Sequence, residues 1–199
     1  MAASVDLPDT KTRVLGAALA SFGTTGYDGT SLDDLAGALG LRKQTILYHF
    51  GSKRELLDAV VDRAADELVG TLEAAVLTSA TGFARIESVV RSVFRLALRR
   101  PELLGLLREV SRPGSPTAVR LSERLEPLVE RAVAFLEIEM AEGRLRPTDA
   151  RLLLLSAYST VVGTATEVEV LRAVGVEPTL RSMAMRRREL LRFLESALT

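Results

Sequence analysis

The side chains best suited to chemistry lie in one short basic segment. Residues 42–54 carry four basic side chains and no acidic one. Hydrogen-bonding groups lie between them, namely Gln44, Thr45, Tyr48 and His49. Proteins use such ammonium, guanidinium, amide and hydroxyl groups to hold phosphate oxygens and base edges. The segment therefore favours contact with nucleic acid, although a short basic cluster taken alone is more often a solvated surface.

The composition excludes several kinds of catalytic and metal site. The 199 residues include no cysteine and a single histidine, His49. A disulfide, a thiol nucleophile, a zinc finger and a multi-histidine metal site are therefore impossible. His49 lies between two aromatic residues without a partner cluster, so we do not expect it to act as a general base. The sequence also lacks a Gly-rich phosphate loop and a nucleophile elbow, and we expect no enzyme activity and no cofactor.

Charge and hydropathy bound the remaining possibilities. The chain has 26 basic and 26 acidic residues. A net charge of zero argues against a protein that coats nucleic acid without sequence preference, although local patches of charge can still be present. No stretch approaches the ~20 apolar residues of a membrane span, and residues 1–8 lack a basic stretch followed by an apolar block. We expect a cytoplasmic protein with no membrane contact.

Hydrophobic spacing predicts helices almost everywhere and no strand, so we expect an all-α fold of about nine helices. The first helix should begin at Asp9 or Thr10 and end at Gly23 and Gly26. Five later helices are expected near residues 83–99, 101–110, 117–141, 148–173 and 179–197.

Two short helices between these regions form a predicted helix-turn-helix. Ser31 caps the first, Gly40 ends it in a left-handed turn, and the second covers residues 42–49. Ser52 and Glu55 form a capping box that opens a long fourth helix. That helix is long enough to join two modules, which we place at residues 9–60 and 61–199.

The stretch from Thr30 to Lys53 resembles the DNA-binding segment of the TetR family of transcriptional regulators. The resemblance is carried by Leu-Gly-Leu before the second short helix, by Thr45, and by Tyr-His-Phe-Gly-Ser-Lys at residues 48–53. It covers about residues 9–60, with a weaker similarity at residues 141–147. It implies a helix-turn-helix DNA-binding domain followed by a helical domain that binds an effector and dimerises.

The resemblance and the side-chain chemistry of the basic segment together predict which residues contact DNA. The leading residues of the second short helix would read bases in the major groove, while neighbouring hydroxyl, imidazole and ammonium groups would hold phosphates. The expected set is Thr30, Ser31, Arg42, Lys43, Gln44, Thr45, Tyr48, His49 and Lys53. Two positions depart from the family pattern, since Arg42 replaces a small capping residue and Leu47 replaces an aromatic one.

The C-terminal module is expected to hold an effector pocket and a dimer interface. The last two helices would pair with their copies in a homodimer. The effector, a small molecule of unknown identity, would contact apolar side chains, for which we nominate Val90, Phe94, Leu103, Leu107, Val129, Val133 and Tyr158. Three arginines, Arg91, Arg95 and Arg99, are interpreted as a solvated or ion-paired face, with an anionic ligand head group as the alternative.

The sequence is compatible with three functional classes. The favoured one is a homodimeric repressor of a palindromic double-stranded DNA operator, released by an apolar or amphipathic effector. The second is a helical protein that binds a small molecule or a partner and whose DNA recognition has degraded, as Arg42 and Leu47 would allow. An enzyme is third.

Overall fold

The computed structural model describes residues 9–76, 81–110, 116–166 and 168–199. Over these ranges it contains ten α-helices and no strand, which confirms the all-α prediction. The helices are α1 (Thr10–Gly29), α2 (Leu32–Leu39), α3 (Lys43–Phe50), α4 (Lys53–Val76), α5 (Phe83–Arg99), α6 (Pro101–Val110), α7 (Pro116–Ala141), α8 (Ala150–Thr166), α9 (Val168–Ala173) and α10 (Leu180–Leu198).

The segment expected as one helix over residues 148–173 is described as α8 and α9, and residue 167 between them lies outside the described residues. Helix α7 contains Pro127 and is continuous across it. None of the described helices combines the length and the apolarity needed to cross a membrane.

Local capping chemistry sets the ends of the first helices. The Asp9 carboxylate accepts a hydrogen bond from the Thr12 amide at 2.6 Å. The Ser31 hydroxyl accepts from the Asp33 amide at 3.1 Å, and Gly40 ends α2 with φ of 67°. Each of these contacts satisfies a backbone group that a helix end leaves without an intrahelical partner. The predicted boundaries of α2 are confirmed.

We expected α1 to end at Gly23 and Gly26. The helix continues through Gly23, which is therefore not its end, whereas its geometry breaks at Gly26, where φ is 82° and ψ is 170°, before it resumes to Gly29. Gly23 instead lies where α1 crosses α6. A Cβ atom on Gly23 would be 2.2 Å from the Glu102 carbonyl oxygen, and one on Gly105 would be 2.8 Å from the Gly23 carbonyl oxygen. Glycine is needed at both positions because the two backbones touch without side chains between them.

Helix α4 runs parallel to α7 and is joined to it by polar side chains at regular intervals. We call these contacts the α4–α7 ladder: Asp58 with Thr117, Asp62 with Arg120, Asp66 with Arg124, and Glu73 with Arg131. The Arg120 guanidinium donates to Asp62 at 2.7 Å and holds the pKa of that carboxyl below its usual value. Buried apolar residues of α1 to α8 and α10 form one continuous core beside this ladder.

The crossing of α1 and α6 generates the first prediction. Replacement of Gly23 by alanine inserts a methyl group where no space exists, so G23A should lower the free energy of unfolding by about 1–3 kcal/mol. Gly16 is the matched control, because it lies on the same helix with nothing within 4 Å of its would-be Cβ. G16A should raise that free energy by about 0.5–1 kcal/mol. Urea denaturation measures both, and equal effects would show that the crossing can relax.

Candidate nucleic-acid interface and apolar cavity

Helix α3 is fixed to the core along one side and open to solvent along the other. Ile46 and Phe50, one turn apart, are buried. The opposite side presents Gln44 and Tyr48, and Tyr48 is 86% exposed. Because a helix places residues four apart on the same face, burial of this pair turns the polar residues of the basic segment outward. The side chains predicted to contact DNA from α3 therefore share a solvent-facing surface.

Several basic side chains on this surface are oriented by neighbours. The Lys43 ammonium lies 2.8 Å from a carboxylate oxygen of Asp33 on α2. The Lys53 ammonium lies over the ring of Tyr27, 4.3 Å from its centroid. Such cation–π contacts at exposed sites contribute about 0.5–1 kcal/mol. Tyr27 thus positions Lys53.

Arg42 precedes α3 at its N-terminal cap without a side-chain hydrogen bond to the helix. Its backbone is extended, as in a normal cap, so the departure concerns only the side chain. The Thr45 amide donates to the Arg42 carbonyl at 2.9 Å, and the first turn has no side-chain cap from Arg42. A helix N-terminus without a side-chain cap favours a bound anion. This geometry suits a DNA phosphate.

Thr30 does not belong to this surface. Only 4% of the residue is exposed, and its hydroxyl donates to the Gly26 carbonyl at 2.8 Å. The same hydroxyl lies 2.8 Å from that of Ser21. The expectation that Thr30 contacts phosphate is therefore corrected, because its side chain is used to close the irregular end of α1. Ser31 remains near the surface, with its hydroxyl occupied as the α2 cap.

His49 is half-buried at the edge of this surface, with its ring centroid 5.4 Å from that of Tyr48 in an edge arrangement. The hydrogen bond from the Thr12 amide lowers the pKa of Asp9, and positive charge on His49 lowers it further. Asp9 thus stays ionised close to the basic segment.

A cavity of about 570 Å³ lies between α4, α5, α7, α8 and α10. Its most buried walls are apolar: Val90, Leu136, Val161, Leu194 and Leu198. The volume falls within the ~300–1,000 Å³ of typical small-molecule sites. Polar side chains are few among the residues that line it: Glu73, Arg85, Arg131 and Tyr158. The cavity can therefore enclose a largely hydrocarbon ligand.

The structure brings only part of the nominated effector set to this cavity. Val90 and Tyr158 line it. The others do not: Phe94, Leu103, Leu107 and Val133 are buried core residues, and Val129 is 37% exposed. Apolar spacing on a helix predicts which face turns inward but does not distinguish a packed core from a cavity wall.

The three arginines of α5 lie outside the lining of this cavity. Arg91 donates to Glu87 at 2.9 Å, and Arg95 donates to the Ser92 hydroxyl at 2.6 Å. Arg99 is exposed in the last turn of α5. The structure thus favours the ion-paired and solvated interpretation. The charged lining residues that sequence reasoning missed, Arg85 and Arg131, lack a distinguishing pattern among the 23 arginines of the chain.

Comparison with known proteins supports a regulator. Residues 14–60 match the family model described as bacterial regulatory proteins, tetR family. The chain is 27% identical over 151 residues to the HTH-type transcriptional regulator RutR of Escherichia coli strain K12. That match covers 75% of this chain and 71% of RutR.

Solved structures share the fold. A TetR transcriptional regulator from Chloroflexus aurantiacus J-10-FL matches with a TM-score of 0.76 and 23% identity, covering 95% of this chain and 96% of that one. AibR, solved in complex with isovaleryl coenzyme A and operator DNA, matches with a TM-score of 0.70 and 21% identity. The latter match covers 79% of this chain and 86% of AibR.

The uncapped start of α3 generates the second prediction. R42S supplies a hydroxyl where the helix lacks a side-chain acceptor, so it should raise the free energy of unfolding by about 1 kcal/mol in the absence of DNA. S31A is the matched control, since it removes the working cap of α2 and should lower that free energy by a similar amount. Urea denaturation followed by circular dichroism measures both. If R42S leaves the free energy of unfolding unchanged, the first-turn amides gain no stability from a side-chain cap.

Proposed function

This chain belongs to the TetR family of transcriptional regulators, and we propose that it binds a palindromic DNA operator as a homodimer and represses transcription until a small apolar or amphipathic effector releases it. The proposal assigns residues 9–60 to DNA binding and residues 61–199 to effector binding and dimerisation. The observation that carries it is the outward face of α3, which presents Gln44 and Tyr48 to solvent while Ile46 and Phe50 are buried.

The proposed division of labour on α3 follows from position. Arg42, Lys43, Gln44 and Thr45 occupy the start of the helix, where a recognition helix meets base edges. Arginine and lysine donate to guanine, glutamine pairs with adenine, and threonine contacts the thymine methyl group or a phosphate. Ser31 before the helix, and Tyr48, His49 and Lys53 further along the chain, are assigned to the phosphate backbone.

The dimer is supported by apolar side chains left open to solvent. On α8, Leu152, Leu155 and Tyr158 are each more than half exposed. Phe193 on α10 is similarly exposed. Contiguous apolar surface of this kind marks an interaction site, and a two-fold interface uses the same patch on both copies. Two recognition helices held by such an interface would meet half-sites about 34–36 Å apart.

The cavity supports the effector role. Its apolar walls come from α4, α5, α7, α8 and α10, and α4 also carries Lys53 in its first turn. A ligand that prefers one arrangement of these helices changes DNA affinity by the same factor as DNA changes ligand affinity. A coupling of about 1–3 kcal/mol corresponds to a ~5- to 150-fold change.

The alternative, a helical binding protein with degraded DNA recognition, is motivated by two departures from the family pattern, at Arg42 and Leu47. Salt dependence separates the two functions. Binding that is weak, indifferent to sequence and lost at physiological salt supports the alternative, whereas retention of a preferred duplex supports the regulator. Selection from random duplexes supplies the sequence for this measurement.

The DNA contacts generate the third prediction. Q44A should lose discrimination worth about 1–3 kcal/mol at a single base position of the selected operator. K53A should weaken binding to every duplex and reduce the slope of log affinity against log salt by about 1. Fluorescence anisotropy with the operator and its single-base variants measures both effects.

Arg146 is the control for charge. It is exposed and lies beyond α7, at the end of the parallel α4–α7 pair remote from α3. R146A removes one positive charge as K53A does and should leave affinity and salt slope unchanged. An unaltered base preference in Q44A would remove that residue from base reading, and equal effects of K53A and R146A would remove Lys53 from the interface.

The exposed apolar patch generates the fourth prediction. L155E and F193E should each yield monomers that remain helical, because the new charge would be buried against a copy of itself in the dimer. Operator affinity should fall with dimerisation. V119E is the matched control, since Val119 is 61% exposed on α7, close to the 59% of Leu155 and the 62% of Phe193. Sedimentation equilibrium distinguishes monomers from dimers. If L155E and F193E both remain dimers, the interface lies elsewhere.

A further inference from the structure

The cavity has charged groups on one side only. Arg131 of α7 and Glu73 of α4 form an ion pair, with 56% and 46% of their side chains exposed. Phe135 lies one turn after Arg131, and the Arg85 guanidinium lies 4.7 Å from the centroid of its ring. These groups therefore border one continuous, solvent-accessible edge, which we call the charged edge.

The charged edge holds two guanidinium groups and one carboxylate, because Glu73, Arg85 and Arg131 are the charged side chains that line the cavity within the described part of the chain. Arg85 also acts on the carboxylate of Glu139, which lies outside the lining and accepts a hydrogen bond from Arg144 at 2.9 Å. An exposed ion pair such as Glu73 with Arg131 contributes little stability, because water already solvates both groups well. A second carboxylate brought to Arg131 can therefore take the place of Glu73 at small cost.

The opposite side of the cavity accepts only hydrocarbon. Val90, Leu136, Val161, Leu194 and Leu198 are each less than 10% exposed, and their side chains offer no hydrogen-bonding group. A polar head group placed there would lose its hydration without compensation. A ligand that fills the cavity must therefore direct its polar end to the charged edge and its apolar end inward.

We propose that the effector cavity takes a linear acyl chain ending in a carboxylate, and that the carboxylate displaces Glu73 from Arg131. This inference rests on the proposed function of the cavity and specifies the chemistry of its ligand. A guanidinium binds a carboxylate through two parallel hydrogen bonds, which fixes the head group in orientation as well as position. The tail supplies affinity through burial of its methylene groups.

Isothermal titration calorimetry of the full chain with straight-chain carboxylates of increasing length tests the tail. Affinity should rise about fourfold per added methylene until the cavity is filled, and then stop rising. Matched alcohols of the same length should bind more weakly and matched amines most weakly. Equal binding of the alcohol and the carboxylate, or tighter binding of the amine, would overturn the proposal.

The charged edge is tested by two substitutions with opposite expected signs. E73Q removes the competitor of the ligand carboxylate and should tighten its binding by about two- to fivefold. R131Q should weaken it by about two- to fivefold and leave binding of the matched alcohol unchanged. R151Q is the control, because Arg151 forms a comparable exposed ion pair with Glu130 outside the cavity lining. Unchanged or weaker carboxylate binding in E73Q would overturn the displacement of Glu73.

These titrations contain no DNA, so they test the ligand of the cavity independently of the proposed regulator function. Absence of operator binding would refute the proposed regulator while the chain-length and head-group results stood unaltered. Absence of binding by every carboxylate would refute the present inference while operator binding stood. Unchanged thermal unfolding of E73Q and R131Q, measured alongside, shows that an altered affinity comes from the charged edge and not from loss of fold.

Discussion

The direct backbone contact between α1 and α6 is the constraint on which the rest of the arrangement depends. Gly23 and Gly105 bring two peptide backbones together with no side chain between them. Side chains at an interface can adopt new rotamers, whereas touching backbones cannot move independently. Helices α2 and α3 pack on α1, so the orientation of the basic surface relative to the C-terminal helices is set by this crossing and by α4, which runs from one region into the other.

Much of the N-terminal architecture follows from local chemistry that the sequence displays openly. Asp9, Ser31 and Gly40 act within three or four residues of their own positions, and the structure gives each the capping role expected of it. The same holds for the apolar spacing that buries Ile46 and Phe50 and so turns the rest of α3 outward. Signals of this range need no knowledge of the tertiary fold.

Other features depend on partners that are distant in sequence and could not be inferred in the same way. Gly23 looks like a helix terminator until Glu102 is found against it. Thr30 looks like a phosphate ligand until Ser21 is found beside its hydroxyl. For the cavity, the spacing of Phe94 and Val133 correctly indicates an inward face, but only the packing of several helices decides that Val90 borders open space and that these two do not.

The α4–α7 ladder has a mechanical consequence. Three of its carboxylates, those of Asp58, Asp62 and Asp66, recur about once per turn, and Arg124 contacts Asp66 at 3.1 Å and Asp62 at 3.5 Å at the same time. A short displacement of α4 along its own axis would leave this guanidinium with one of its two carboxylates. Separation of the two helices, in contrast, would remove both partners of Arg124 together.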